Sequence, residues 1–109
     1  MKLSRAPVVR VATHVAVWIP LLTAVAGMLR ADWRAVGDGA RIAQGSWEAL
    51  TGHGPLVGPA TQLGPHLHDP GPLEFWLLAV PVHLDPVRGV FWGAALWCMA
   101  AGSLAVEAM

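Results

Sequence analysis

Val11-Ala12-Thr13-His14-Val15-Ala16-Val17-Trp18-Ile19-Pro20-Leu21-Leu22-Thr23-Ala24-Val25-Ala26-Gly27-Met28-Leu29 runs for 19 residues without a formal charge. At 1.5 Å per residue a helix over this stretch covers about 28 Å, close to the roughly 30 Å of bilayer hydrocarbon. Pro20 removes one helical hydrogen bond, which membrane helices tolerate. His14 has no ligand partner nearby in sequence and reads as an interfacial or packing histidine. Upstream, Lys2, Arg5 and Arg10 form a basic tail over residues 1–10 with no acid in it.

A second uncharged stretch covers residues 89–106, ending before Glu107. It holds Phe91, Trp92, Leu96, Trp97, Met99 and Leu104, with Gly93, Gly102 and Ser103 as small residues. Its length is at the lower limit for spanning. Gly89 and Gly93 make a weak G-x-x-x-G match that background composition also explains. Two spans imply an all-α membrane protein, with residues 1–10 cytoplasmic by the positive-inside rule. Residues 30–88 then form an outer loop, and residues 107–109 return to the cytoplasmic side. A second reading stays open: Ala24-Val25-Ala26 follows a basic and an apolar region, as a signal-peptidase site would.

Composition agrees with a bilayer. Only 13% of the chain is charged, against about 25% in soluble domains. The net charge is zero, which gives no reason to expect nucleic acid as a partner. Cys98 is the one cysteine, so no disulfide forms within the chain, and it reads as a small apolar packing residue.

The loop divides into three parts. Trp33, just past the first span, suits an interfacial anchor. Asp38 is placed to cap a short helix near residues 39–50, closed by Thr51-Gly52. On that helix Ile42, Gly45, Ser46, Ala49 and Leu50 share one face and Arg41, Gln44 and Glu48 another, as on a helix lying at a membrane surface. Gly54-Pro55-Leu56-Val57-Gly58-Pro59 and Gly64-Pro65-His66-Leu67-His68-Asp69-Pro70-Gly71-Pro72 forbid regular helix and set tight turns. An apolar run near residues 73–80 follows. It is too short to span and reads as a second juxtamembrane helix.

His53, His66, His68 and Asp69 form the one metal-like cluster. Their spacing matches no standard site, so they read as polar loop residues, and nothing in the sequence calls for a metal or other cofactor. Asp32 and Asp38 are the carboxylates available for acid–base work. Read alone, Asp38 is a helix cap and Asp32 a solvated charge.

Three blocks in order carry a resemblance: Gly37-Asp38-Gly39-Ala40, then Gly54-Pro55-Leu56-Val57-Gly58, then His68-Asp69-Pro70-Gly71-Pro72-Leu73-Glu74-Phe75-Trp76-Leu77-Leu78-Ala79. With the flanking spans, this resembles the N-terminal portion of a bacterial GT-C superfamily membrane glycosyltransferase of the kind found in high-GC Gram-positive bacteria. The resemblance implies many transmembrane helices and a first outer loop with two juxtamembrane helices. It also implies sugar transfer from a polyprenyl-phosphate donor to a cell-envelope acceptor. Carried over by motif, the catalytic carboxylate falls on Asp38, with Asp32 as second choice. His68 and Asp69 would lie at the mouth of the site, touching carrier phosphate or sugar. Family members have more spans than two, so the chain is expected to be part of a longer enzyme and inactive alone. The partners expected are the bilayer, the polyprenyl-phosphate-linked sugar and other membrane subunits. The alternative is a small non-enzymatic membrane protein that packs on a larger membrane complex.

Overall fold

A computed structural model of the chain describes residues 5–58, 63, 64, 66–68 and 72–109. The described secondary structure is helical, in four elements: α1 (Arg5–Arg30), α2 (Asp38–Glu48), α3 (Leu73–Leu84) and α4 (Gly89–Glu107). Pro7–Arg30 and Gly89–Glu107 are long and apolar enough to cross a membrane. The chain forms two compact units. One joins the residues up to Asp32 with Ala94–Met109, and the other is Trp33–Gly93.

In the first unit, α1 is 26 residues long, about 39 Å. It begins inside the basic tail, at Arg5. Pro7 permits this start because the first turn has no intrahelical N–H bonds to lose. Hydroxyls within the apolar surface are satisfied by their own helix: Thr13 Oγ1 donates to the Val9 carbonyl at 2.9 Å and Thr23 Oγ1 to that of Ile19 at 2.7 Å. Against α1, Gly102 of α4 leaves room for Val17; a Cβ there would lie 2.7 Å from Val17 Cγ1. Met99 and Val106 are buried, whereas Cys98 is exposed rather than packed.

In the second unit, α2 packs against α3. The small face of α2 does lie inward: Gly45, Ser46 and Ala49 are buried, Ile42 is half-buried and Leu50 is exposed. Its cover is α3, so the amphipathic pattern serves an intrachain contact rather than requiring a membrane surface. Phe75 fills the place where a Gly45 side chain would stand, with its ring 2.9 Å from an ideal Cβ. Ser46, fully buried, donates its hydroxyl to the Ile42 carbonyl at 2.7 Å, which removes the cost of an unpaired buried donor. Leu78, Val82 and Val90 form the core, with Ile42, Ala43 and Phe91 against it.

Three local expectations are corrected. Gly37, at φ 56°, is the α2 N-cap, and no side chain caps the helix. Glycine reaches that backbone conformation at little steric cost, so Asp38 becomes the first helical residue. α2 ends at Glu48 with Ala49 as its C-cap, ahead of Thr51-Gly52; in the same unit, Trp33 is half-buried and set edge-on to Phe91. Finally, α3 does not stop near residue 80 but runs through Pro81 to Leu84.

Pro81 is buried, and the glycines that looked like background are what admit it. A Cβ at Gly93 would lie 2.6 Å from Pro81 Cβ, and one at Gly89 would collide with the Pro81 carbonyl oxygen. At its start, α4 is braced by Asp85, whose Oδ1 accepts from the backbone N–H of Val87 and Arg88 at 3.2 and 3.0 Å.

Filling the Gly93 contact should force α3 and α4 apart. Gly93→Val is expected to cost about 1–3 kcal/mol, read as a lower thermal midpoint by circular dichroism in mild detergent. An unchanged midpoint would show that the contact has slack.

Candidate functional site

The residues expected to carry chemistry stand in distinct settings. Asp38 occupies the first turn of α2, where a carboxylate complements the positive helix end. Its side chain is 94% exposed, and its one charged neighbour among the described residues is Arg41, 4.0 Å away at the i+3 position. Asp32 is exposed in the turn that follows α1, at φ 48°, a region that Asp enters more readily than most residues. The two carboxylates belong to different units.

His68 is tied down. Its Nδ1 lies 2.9 Å from the Gly58 carbonyl oxygen. A carbonyl only accepts, so Nδ1 carries the hydrogen and Nε2 is the ring atom left for another partner. The bond joins two arms of the proline-rich segment. Gly58 itself is buried and His68 exposed. Asp69 lies outside the described residues. No hydrogen bond or ion pair links Asp38 to His68 among the described residues. Among those residues there is also no group of three His, Cys, Asp or Glu side chains able to hold a metal ion.

On α2 and α3 a second pairing was not foreseen. The rings of Trp47 and His83 stack at 4.3 Å with an interplanar angle of 2°. Here too Nδ1 is engaged, donating to the Ala79 carbonyl at 2.8 Å.

The more extended polar arrangement, also unforeseen, lies in the first unit. Arg10 Nη1 is 3.1 Å from Glu107 Oε2, and His14 Nε2 is 3.5 Å from Glu107 Oε1. Trp18 Nε1 donates to Ser103 Oγ at 2.9 Å. Beside these groups an open groove of about 500 Å³ follows α1 along Val11, Val15, Ile19 and Leu22. The signal was present in the spacing: polar residues recur every four positions on α1 (10, 14, 18) and on α4 (103, 107). Each has an unremarkable reading when its own helix is considered alone.

No protein-family model, curated protein or solved structure matches the chain.

Because Asp38 contributes neither a cap bond nor a buried contact, Asp38→Asn should leave the helix content unchanged and cost no more than the ~0.3–1 kcal/mol of a charge at a helix N-terminus. Circular dichroism of the two proteins side by side checks this. A clear loss of helix would assign Asp38 a structural role.

Proposed function

We propose that this chain is the first-loop module of an integral-membrane glycosyltransferase, which moves a sugar from a polyprenyl-phosphate donor to a cell-envelope acceptor. The observation that carries the reading is the presentation of Asp38. It is a solvent-facing carboxylate in the first turn of a helix anchored on α3, in a loop bracketed by two long apolar helices. The resemblance of the loop sequence supplies the reaction class.

In this reading Pro7–Arg30 and Gly89–Glu107 cross the bilayer, with the N-terminus cytoplasmic and the loop outside. The Arg10–Glu107 ion pair supports a hairpin, since it joins the start of one span to the end of the other. The tryptophan and the aliphatic side chains that α1 exposes then meet lipid or further helices.

As the acceptor hydroxyl oxygen bonds to the anomeric carbon, Asp38 takes its proton. The bond from that carbon to the carrier phosphate breaks, and polyprenyl phosphate leaves with the electron pair. General-base help of this kind contributes about 10²–10⁴-fold. Asp32 is the second choice for the base. His68, with Nε2 free of the Gly58 bond, would contact phosphate or sugar together with Asp69. An exposed carboxylate works best once water is displaced around it, so helices beyond these residues would complete and cover the donor pocket.

One feature favours a second role, as a non-enzymatic subunit of a larger membrane complex. None of the apolar window of α1 is buried, and a partner helix would cover it. Stable co-migration of the tagged chain with a defined complex in native gels, without loss of any envelope sugar on deletion, would select that role.

Topology is tested by cysteine labelling on a Cys98→Ala background. Leu56→Cys should react with a membrane-impermeant maleimide added to intact cells, and Met109→Cys only after permeabilisation; the reverse pattern would invert the orientation. For the activity, deleting the gene in its host should remove one sugar from the envelope glycans analysed by mass spectrometry. The wild-type gene should restore it, and Asp38→Asn should lower the transfer rate by about 10²-fold or more. Full restoration by Asp38→Asn would remove Asp38 from the reaction.

A further inference from the structure

Arg10, His14 and Trp18 recur at intervals of four on α1, as do Ser103 and Glu107 on α4, so each set lies along one helix face. The faces meet in the contacts given above, with Glu107 using one carboxylate oxygen for Arg10 and the other for His14. The remaining nitrogen of His14, Nδ1, lies 2.9 Å from the Arg10 carbonyl oxygen. That oxygen only accepts, so Nδ1 carries a hydrogen.

An ionised carboxylate also only accepts. Both ring nitrogens of His14 therefore face acceptors. A neutral imidazole has one N–H, already spent on Arg10, and would turn the Nε2 lone pair toward Glu107 Oε1. The contact becomes attractive when the pair holds one further proton. That proton sits either on Nε2, giving an imidazolium beside a carboxylate, or on Oε1, giving an O–H that donates to Nε2.

We infer that His14 and Glu107 form a proton-binding site that closes this end of the α1–α4 pair when it is occupied. The proton comes from solvent: the Glu107 side chain is 52% exposed and that of His14 25%. Arg10 and Glu107 are the charged groups that contact the ring from α1 and α4 among the described residues. Arg10 holds Oε2 in both protonation states, so loss of the proton loosens the end of the pair without freeing it. The Trp18–Ser103 bond, one turn further in, keeps the two helices in register.

Spin labels at Val8→Cys and Ala108→Cys, both at exposed positions, on a Cys98→Ala background report this end of the pair. Measurements on the full chain in lipid nanodiscs at pH 5.5 and pH 8 bracket the range in which imidazoles ordinarily change charge. The short-distance population should be about threefold larger at pH 5.5, the size expected for a half-exposed ion pair. Glu107→Gln should abolish the gain at pH 5.5. Its amide oxygen accepts from Arg10 while its NH₂ donates to a neutral Nε2, and a ring that takes up a proton turns a second donor toward that NH₂. His14→Gln should be insensitive to pH. A wild-type distribution that is the same at both pH values overturns the inference, as does a gain at pH 5.5 that survives Glu107→Gln. Nitrogen-15 spectra of histidine-labelled wild type test it without a variant at the pair. A singly protonated His14 in the closed state, with the carboxyl carbon-13 shift of labelled Glu107 showing it ionised, would be equally fatal.

Discussion

Close approach of backbone to backbone around α3 is the constraint on which the unit of residues 33–93 rests. α3 brings the bulk: Phe75, Leu78, Pro81 and Val82 are all buried. Its neighbours bring absences. Gly45, Ser46 and Ala49 on α2, with Gly89 and Gly93 at the start of α4, leave the volume that those side chains fill. Contacts of this kind draw on dispersion between many atoms. They operate whether the outer surface meets water or lipid, as small-residue interfaces do between membrane helices. The α2–α3 pair is therefore a packed support, and Asp38 stands on an element anchored along one side.

How much of this was legible in the sequence depends on how far apart the interacting residues lie. Uncharged runs and short amphipathic patterns gave the four helices, because length and periodicity are local properties. The inward face of α2 was also visible, but its partner was not: a small-residue stripe has the same appearance whether it meets a membrane or α3. The end of α3 was not legible: Pro81 lies inside the helix, and Gly93 leaves room for its ring and Gly89 for its carbonyl oxygen, twelve and eight residues downstream. Asp38 was displaced from the cap by one position because Gly37 takes that place with its backbone alone.

The candidate site was legible as residue types and not as a constellation. Asp38, Asp32 and His68 could be named from the sequence, and their settings could not. The bond that fixes the His68 tautomer runs to a glycine ten residues away. The ladder along α1 and α4 escaped entirely, since its members are distant in the chain and each has an ordinary role by itself. Polar groups paired across apolar helices are costly to leave unmatched. For that reason matched spacing on two such helices is a better guide than any one residue.

The hydroxyls of Thr13 and Thr23 and the Nδ1–H of His14 are all bonded to carbonyls one turn back in the same helix. This bears on how the chain is made. Trp18 waits for Ser103, 85 residues later, which is roughly 4 to 17 s at ordinary rates of synthesis. During that interval α1 exists without α4, and these three polar groups need nothing that has not yet been translated. Those groups of the first helix are thus satisfied at birth, and the contacts that complete it are deferred to Arg10, the second nitrogen of His14 and one indole.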